Sequence, residues 1–147
     1  MLIDTKNNQN KVIARYKDGR MVKGFTLDFS PIKSIFHIAT PKEQNEESTY
    51  EIEMEELKAI FFVKSHEGDK EYKEKKKFEE VDSSHLMGLK IQVEFHDGEI
   101  IRGKTMVYNA NKKGFFIFPV DPRSNNERIY VVSSALEKVL TGGAVED

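Results

Sequence analysis

The sequence contains no cysteine, which excludes disulfide scaffolds, thiolate catalysis and cysteine-ligated zinc together. It lacks any apolar run approaching the ~20 residues of a membrane-spanning helix. Met1 to Asn10 has neither the basic start nor the apolar core of a secretory leader, so a reducing cytoplasm is the expected compartment. An excess of positive charge is missing too: 23 Lys and Arg stand against 25 Asp and Glu, a formal net charge of -2. No global positive field attracts a phosphate backbone. At 147 residues the chain is one ordinary domain or two very small ones.

What is present is a repeat. Lys11 to Ile60 aligns with Lys90 to Val139 at a constant offset of 79, without a gap over 50 positions. Identities fall on turn residues (Asp18 and Asp97, Gly19 and Gly98), on an interior glycine (Gly24 and Gly103) and on apolar positions of matching parity (Phe36 and Phe115, Ile38 and Ile117). Val12 to Tyr16 and Ile91 to Phe95 are β-branched and aromatic, and each runs into Asp-Gly, which predicts a hairpin with a tight primed turn. The second strands, Arg20 to Leu27 and Glu99 to Tyr108, each carry that interior glycine, the mark of a sharp bend or a close backbone approach. Further strands are expected over Ile35 to Ala39 and Phe115 to Phe118, and over Thr49 to Met54 and Arg128 to Val132. A single 3₁₀ turn precedes a last strand in each copy, near Ala59 to Val63 and Lys138 to Leu140. The expectation is an all-β chain of two tandem five-stranded small barrels, spanning residues 1–64 and 89–147.

Residues 65–88 differ in character, with acids and lysines interleaved. They read as a charged, partly helical linker. Opposite charges three or four apart suggest helix around Asp69 to Lys77, and Tyr72, Phe78 and Val81 are the anchors.

Lys11-Val-Ile-Ala-Arg-Tyr-Lys-Asp-Gly-Arg-Met-Val-Lys-Gly24 resembles the first motif of the Sm-like family, and Lys90 to Gly103 is similar. The resemblance implies strongly bent five-stranded barrels of Sm-like or SH3-like type, RNA binding, and ring assembly through outer strands. The sequence departs from the family at the RNA-contacting positions: Ser30 and Asn109 replace an aspartate, and Ser34 and Lys113 an asparagine. The resemblance therefore carries the fold further than the RNA pocket. The paired pattern also resembles an uncharacterised bacterial family with two such repeats.

Strand parity places Phe36, Ile38, Tyr50, Ile52 and Met54 inside the first copy and Phe115, Ile117, Ile129 and Val131 inside the second. The outward faces then differ. His37, Ala39, Glu51 and Glu53 make an ordinary wet face, whereas Phe116, Phe118, Tyr130 and Val132 make an apolar one that requires a cover. The candidates are Ile60 to Val63 of the first copy, including Phe61 and Phe62, the linker aromatics, or a second chain; packing of copy one on copy two is the preferred reading. A ligand groove around Phe116 and Tyr130 is a further possibility.

Chemistry is thin. The histidines His37, His66, His85 and His96 lack metal spacing, Glu51, Glu53 and Glu55 read as a row protecting an exposed strand, and no phosphate loop or nucleophile context occurs. No enzyme and no cofactor is expected. The most distinctive loop is 119–128, where Arg123, Asn125, Asn126 and Arg128 could read bases or phosphates while Tyr108 stacks. The expected role is a noncatalytic interaction module with a protein partner or a second copy; the alternative is a single-stranded RNA binder using that loop.

Overall fold

The computed structural model describes residues 10–40, 48–84 and 86–146. Met1 to Gln9 of the leader reading and His85 of the histidine reading lie outside the described residues. The strands are β1 (Asn10–Tyr16), β2 (Met21–Thr26), β3 (Ile35–Ala39), β4 (Thr49–Glu53), β5 (Leu57–Val63), β6 (Leu89–Phe95), β7 (Ile100–Thr105), β8 (Gly114–Pro119), β9 (Asn126–Val132) and β10 (Leu136–Thr141). They form one ten-stranded antiparallel sheet in the order β10-β6-β7-β8-β9-β5-β1-β2-β3-β4. The chain is all-β: the helical pieces among the described residues are 3₁₀ turns of three residues each. Among the same residues no helix is long and apolar enough to cross a membrane.

Strands β6 to β10 pair as β1 to β5 do, residue for residue at the offset of the sequence repeat. Val12 opposes Gly24 and Phe62, just as Ile91 opposes Gly103 and Thr141. Phe36 opposes Ile52 as Phe115 opposes Val131. The hairpins also correspond, but their loops are longer than a primed two-residue turn. Tyr16 N–H donates to Arg20 O and Phe95 N–H to Glu99 O, both at 2.9 Å, leaving three residues in each loop. Gly19 and Gly98 close these loops at φ 95° and 94°, the left-handed step of a bulged hairpin. The interior glycines are explained by contact. A Cβ on Gly24 would stand 2.3 Å from Ala39 O, and one on Gly103 2.1 Å from Phe118 O.

The two sets of strands meet where β5 pairs with β9, with Ala59 opposite Val131 and Ile60 opposite Tyr130. Every residue of β5 is buried. Side chains alternate along a strand, so this central pair serves two apolar clusters. Ile60, Phe62, Tyr130 and Val132 join the cluster of Val12, Phe36, Ile38 and Ile52. Ala59, Phe61, Ile129 and Val131 join that of Ile91, Val93, Phe115 and Ile117. Thus Tyr130 and Val132 lie buried beside β5, reached through strand pairing rather than by one face laid on another. Lys58 also crosses the join. Its ammonium bonds Asp97 at 2.6 Å as well as Glu99 and sits 4.7 Å over the Phe95 ring.

One inward assignment needs correction: Tyr50 is 47% exposed, unlike Phe36, Ile38, Ile52 and Met54. It stands near the start of β4, the terminal strand of the sheet among the described residues. The connector also departs from expectation. Asp69–Lys77 forms no helix, and one 3₁₀ turn follows at Phe78–Glu80. That stretch has Tyr72 alone as an apolar anchor, too little for a helical stripe, and its polar groups bond the second half instead.

Candidate functional site

Loop 119–128 is where the connector is fastened. Asp121 is 4% exposed and accepts hydrogen bonds from the Tyr72 hydroxyl, from Lys75 N–H at 2.7 Å and from Arg123 N–H at 2.9 Å. Burial pushes its carboxyl up, but these donors outweigh burial and hold it below the usual carboxylate range. The same bond raises the Tyr72 hydroxyl, since losing its proton would set two negative charges together. Ser124 Oγ donates to Glu74 at 2.7 Å.

Two of the predicted RNA-reading residues, Arg123 and Asn125, are drawn into this fastening. Asn125 Oδ1 accepts from Ser65 N–H at 3.1 Å while its Nδ2 donates to Ser65 O at 2.8 Å. Both ends of the amide are therefore engaged by the chain itself. The Arg123 guanidinium stacks 4.2 Å over Tyr72. Asn126 donates its N–H to Ser124 Oγ and pairs with Val63 in the sheet. Tyr108 packs edge-on against Phe115, with ring centroids 5.0 Å apart, on the second cluster.

Arg128 points elsewhere. Its guanidinium lies 4.4 Å from the Phe62 ring and 4.9 Å from the Phe116 ring, beside a knot in which Phe29 meets Phe36, Phe62, Phe116 and Tyr130 edge to face. Outside this knot is a groove of about 700 Å³ lined by Phe116, Phe118, Tyr130 and Arg128. Phe118 is half-buried there. The β2–β3 loop contributes Ile32, and the β7–β8 loop contributes Met106, Val107, Lys112 and Lys113. A second cavity of about 640 Å³ shares Ile32, Lys112 and Lys113 with the first and adds Lys17 and Lys33.

The groove is apolar and open. Ile32 is 93% exposed, Val107 64% and Met106 61%. Ile32 lies in a loop outside the alternating pattern, whereas Met106 and Val107 fall within the expected strand Glu99 to Tyr108, which ends instead at Thr105. One signal was available: Lys33 and Lys112 are identical residues at the repeat offset. Among the described residues, no three His, Asp or Glu side chains come together to hold a metal ion.

Fold and groove together define an all-β protein with an apolar, cation-rimmed cleft where two like sets of strands meet. The chain belongs to a family of unknown function, DUF6982, whose family model matches residues 8–142. No curated protein and no solved structure matches it.

Proposed function

We propose that the chain is a noncatalytic cytoplasmic interaction module, built as two tandem five-stranded Sm-like or SH3-like barrels, that holds its partner in the groove around Phe116 and Tyr130. The barrel reading is supported by the repeated register and by the bend glycines. It is supported too by the way like-parity side chains from β1, β3, β4 and β5 converge on one cluster, with β6, β8 and β9 converging on the other. The single observation carrying the function is the groove: about 700 Å³, within the roughly 300–1,000 Å³ of ordinary ligand clefts. Among the described residues, its aliphatic side chains Ile32, Met106 and Val107 are exposed and belong to neither apolar cluster.

The RNA alternative draws its support from Arg128, which lines this groove, whereas Arg123 and Asn125 are engaged by the connector. Selection of random peptides displayed on phage against the intact chain tests the module. Sequences that enrich on the wild type and are lost on I32S/M106S are expected, and enrichment insensitive to these exposed substitutions would overturn the groove. Phe116→Asp is a poorer probe, because that ring packs on Phe29, Phe62 and Tyr130. Oligonucleotide binding that is salt-sensitive from about 50 mM upward would instead favour the RNA reading.

A further inference from the structure

We propose that the groove takes an acidic peptide bearing apolar side chains, a partner segment in which Glu or Asp alternates with Leu, Ile or Phe. This names the partner class for the site proposed above and rests on that reading. The first argument is charge. The two adjoining cavities are lined by Lys17, Lys33, Lys112, Lys113 and Arg128, with Glu55 as the carboxylate among them. The chain as a whole carries more acid than base. Cations are therefore concentrated here against the trend of the molecule, and complementarity asks for an anionic occupant.

Three of the cations are also available among the described residues. Lys17 is held by Glu55 O and Ser134 Oγ, but among the described residues the ammonium groups of Lys33, Lys112 and Lys113 have no carboxylate partner. Lys33 and Lys112 occupy the same place in equivalent turns. Each donates its N–H to the carbonyl three residues back, Ser30 at 3.2 Å and Asn109 at 3.0 Å. Each half thus contributes a lysine to the second cavity, which adjoins the groove.

The second argument separates a peptide from a nucleic acid. A single strand needs free aromatic faces on which bases stack. Here the Phe116 and Tyr130 rings meet Phe29 edge to face, and Arg128 covers Phe116. What the groove offers to an incomer is mainly aliphatic, namely Ile32, Met106 and Val107, with the half-buried Phe118 as a single ring rather than a stacking series. Those side chains accept apolar anchors, and the sulfur of Met106 adapts to their shape.

Fluorescence anisotropy on the full chain tests this with labelled probes of equal length: a peptide alternating Glu with Leu and Phe, a Glu-only peptide, a neutral Leu- and Phe-containing peptide, and oligouridylate RNA. The mixed acidic peptide is expected to bind best. K112E/K113E should weaken it by about tenfold or more and flatten its salt dependence. M106S/V107S should weaken it comparably while leaving the salt dependence in place. All four substituted positions are exposed, so folding should be retained, as circular dichroism would verify. Equal binding of the Glu-only peptide, preferential binding of the RNA, or mixed-peptide binding that neither double variant changes would overturn the proposal. A neutral peptide that binds best and depends on Met106 and Val107 would overturn the acidic partner but leave the groove as a binding site. Loss of groove-dependent binding for every probe would remove both.

Discussion

Asp121 shows how one buried carboxylate decides the path of a whole connector. Its donors come from Tyr72 and Lys75, far back in the chain, and from Arg123 in its own loop. Protonation removes acceptor capacity that these groups need. Because the folded carboxyl is held below its ordinary value, the stability it contributes is present above about pH 4 and is lost as pH falls through the folded value. Asp97, lowered chiefly by its bond from Lys58, acts in the same direction across the join of the halves. Acid should therefore loosen connector and join together. Asp121→Asn should lower stability by about 1.5–3 kcal/mol at neutral pH, the usual scale for hydrogen bonds to a charged group. It should also erase part of the acid sensitivity. Hydrogen exchange at the Lys75 amide across that pH range, compared between wild type and variant, checks both.

At the scale of the strands, Gly24 and Gly103 set the approach of β2 to β3 and of β7 to β8. The nearest atoms in the way are backbone carbonyls, which cannot swing aside as a side chain does. Gly103→Ala should thus lower stability by upward of about 3 kcal/mol, the upper range for overpacking, whereas Gly19→Ala meets no atom within 4 Å and is strained only through its φ of 95°. Denaturant titration of the two variants should rank them in that order. The bend glycines were legible in the sequence because both their spacing and their chemistry are local. So was the alternation that buries Ile129 with Val131 on one side and Tyr130 with Val132 on the other. The fate of loop 119–128 was not legible. Its asparagines look like recognition groups until the partner of Asn125, Ser65, is brought to it by the β5–β9 pairing. The groove was legible only at its floor, Phe116 and Tyr130. Its rim comes from two irregular loops that strand alternation does not reach and that the repeat offset alone connects.

For the whole molecule, the shared strand pair matters most. Each apolar cluster borrows side chains from the other half, so neither half has a complete interior alone. Thermal unfolding should follow a single transition, with far- and near-ultraviolet circular dichroism superimposing; two separated transitions would mean the halves are independent. The join also has a direction. The fifth strand of one half meets β9, the counterpart of the fourth strand, leaving, among the described residues, β4 at one end of the sheet and β10 at the other. Positions equivalent to Tyr130 and Val132 in the join are Glu51 and Glu53 at the free end, both exposed. Unlike ends of this kind permit addition without limit, and an exposed strand edge invites it. The glutamates are expected to act as stoppers against end-to-end polymerisation: E51V/E53V should give scattering that grows with concentration, while the wild type stays a discrete particle. A molecule joined by a repeatable seam must carry, in its own outermost strand, the instruction not to repeat it again.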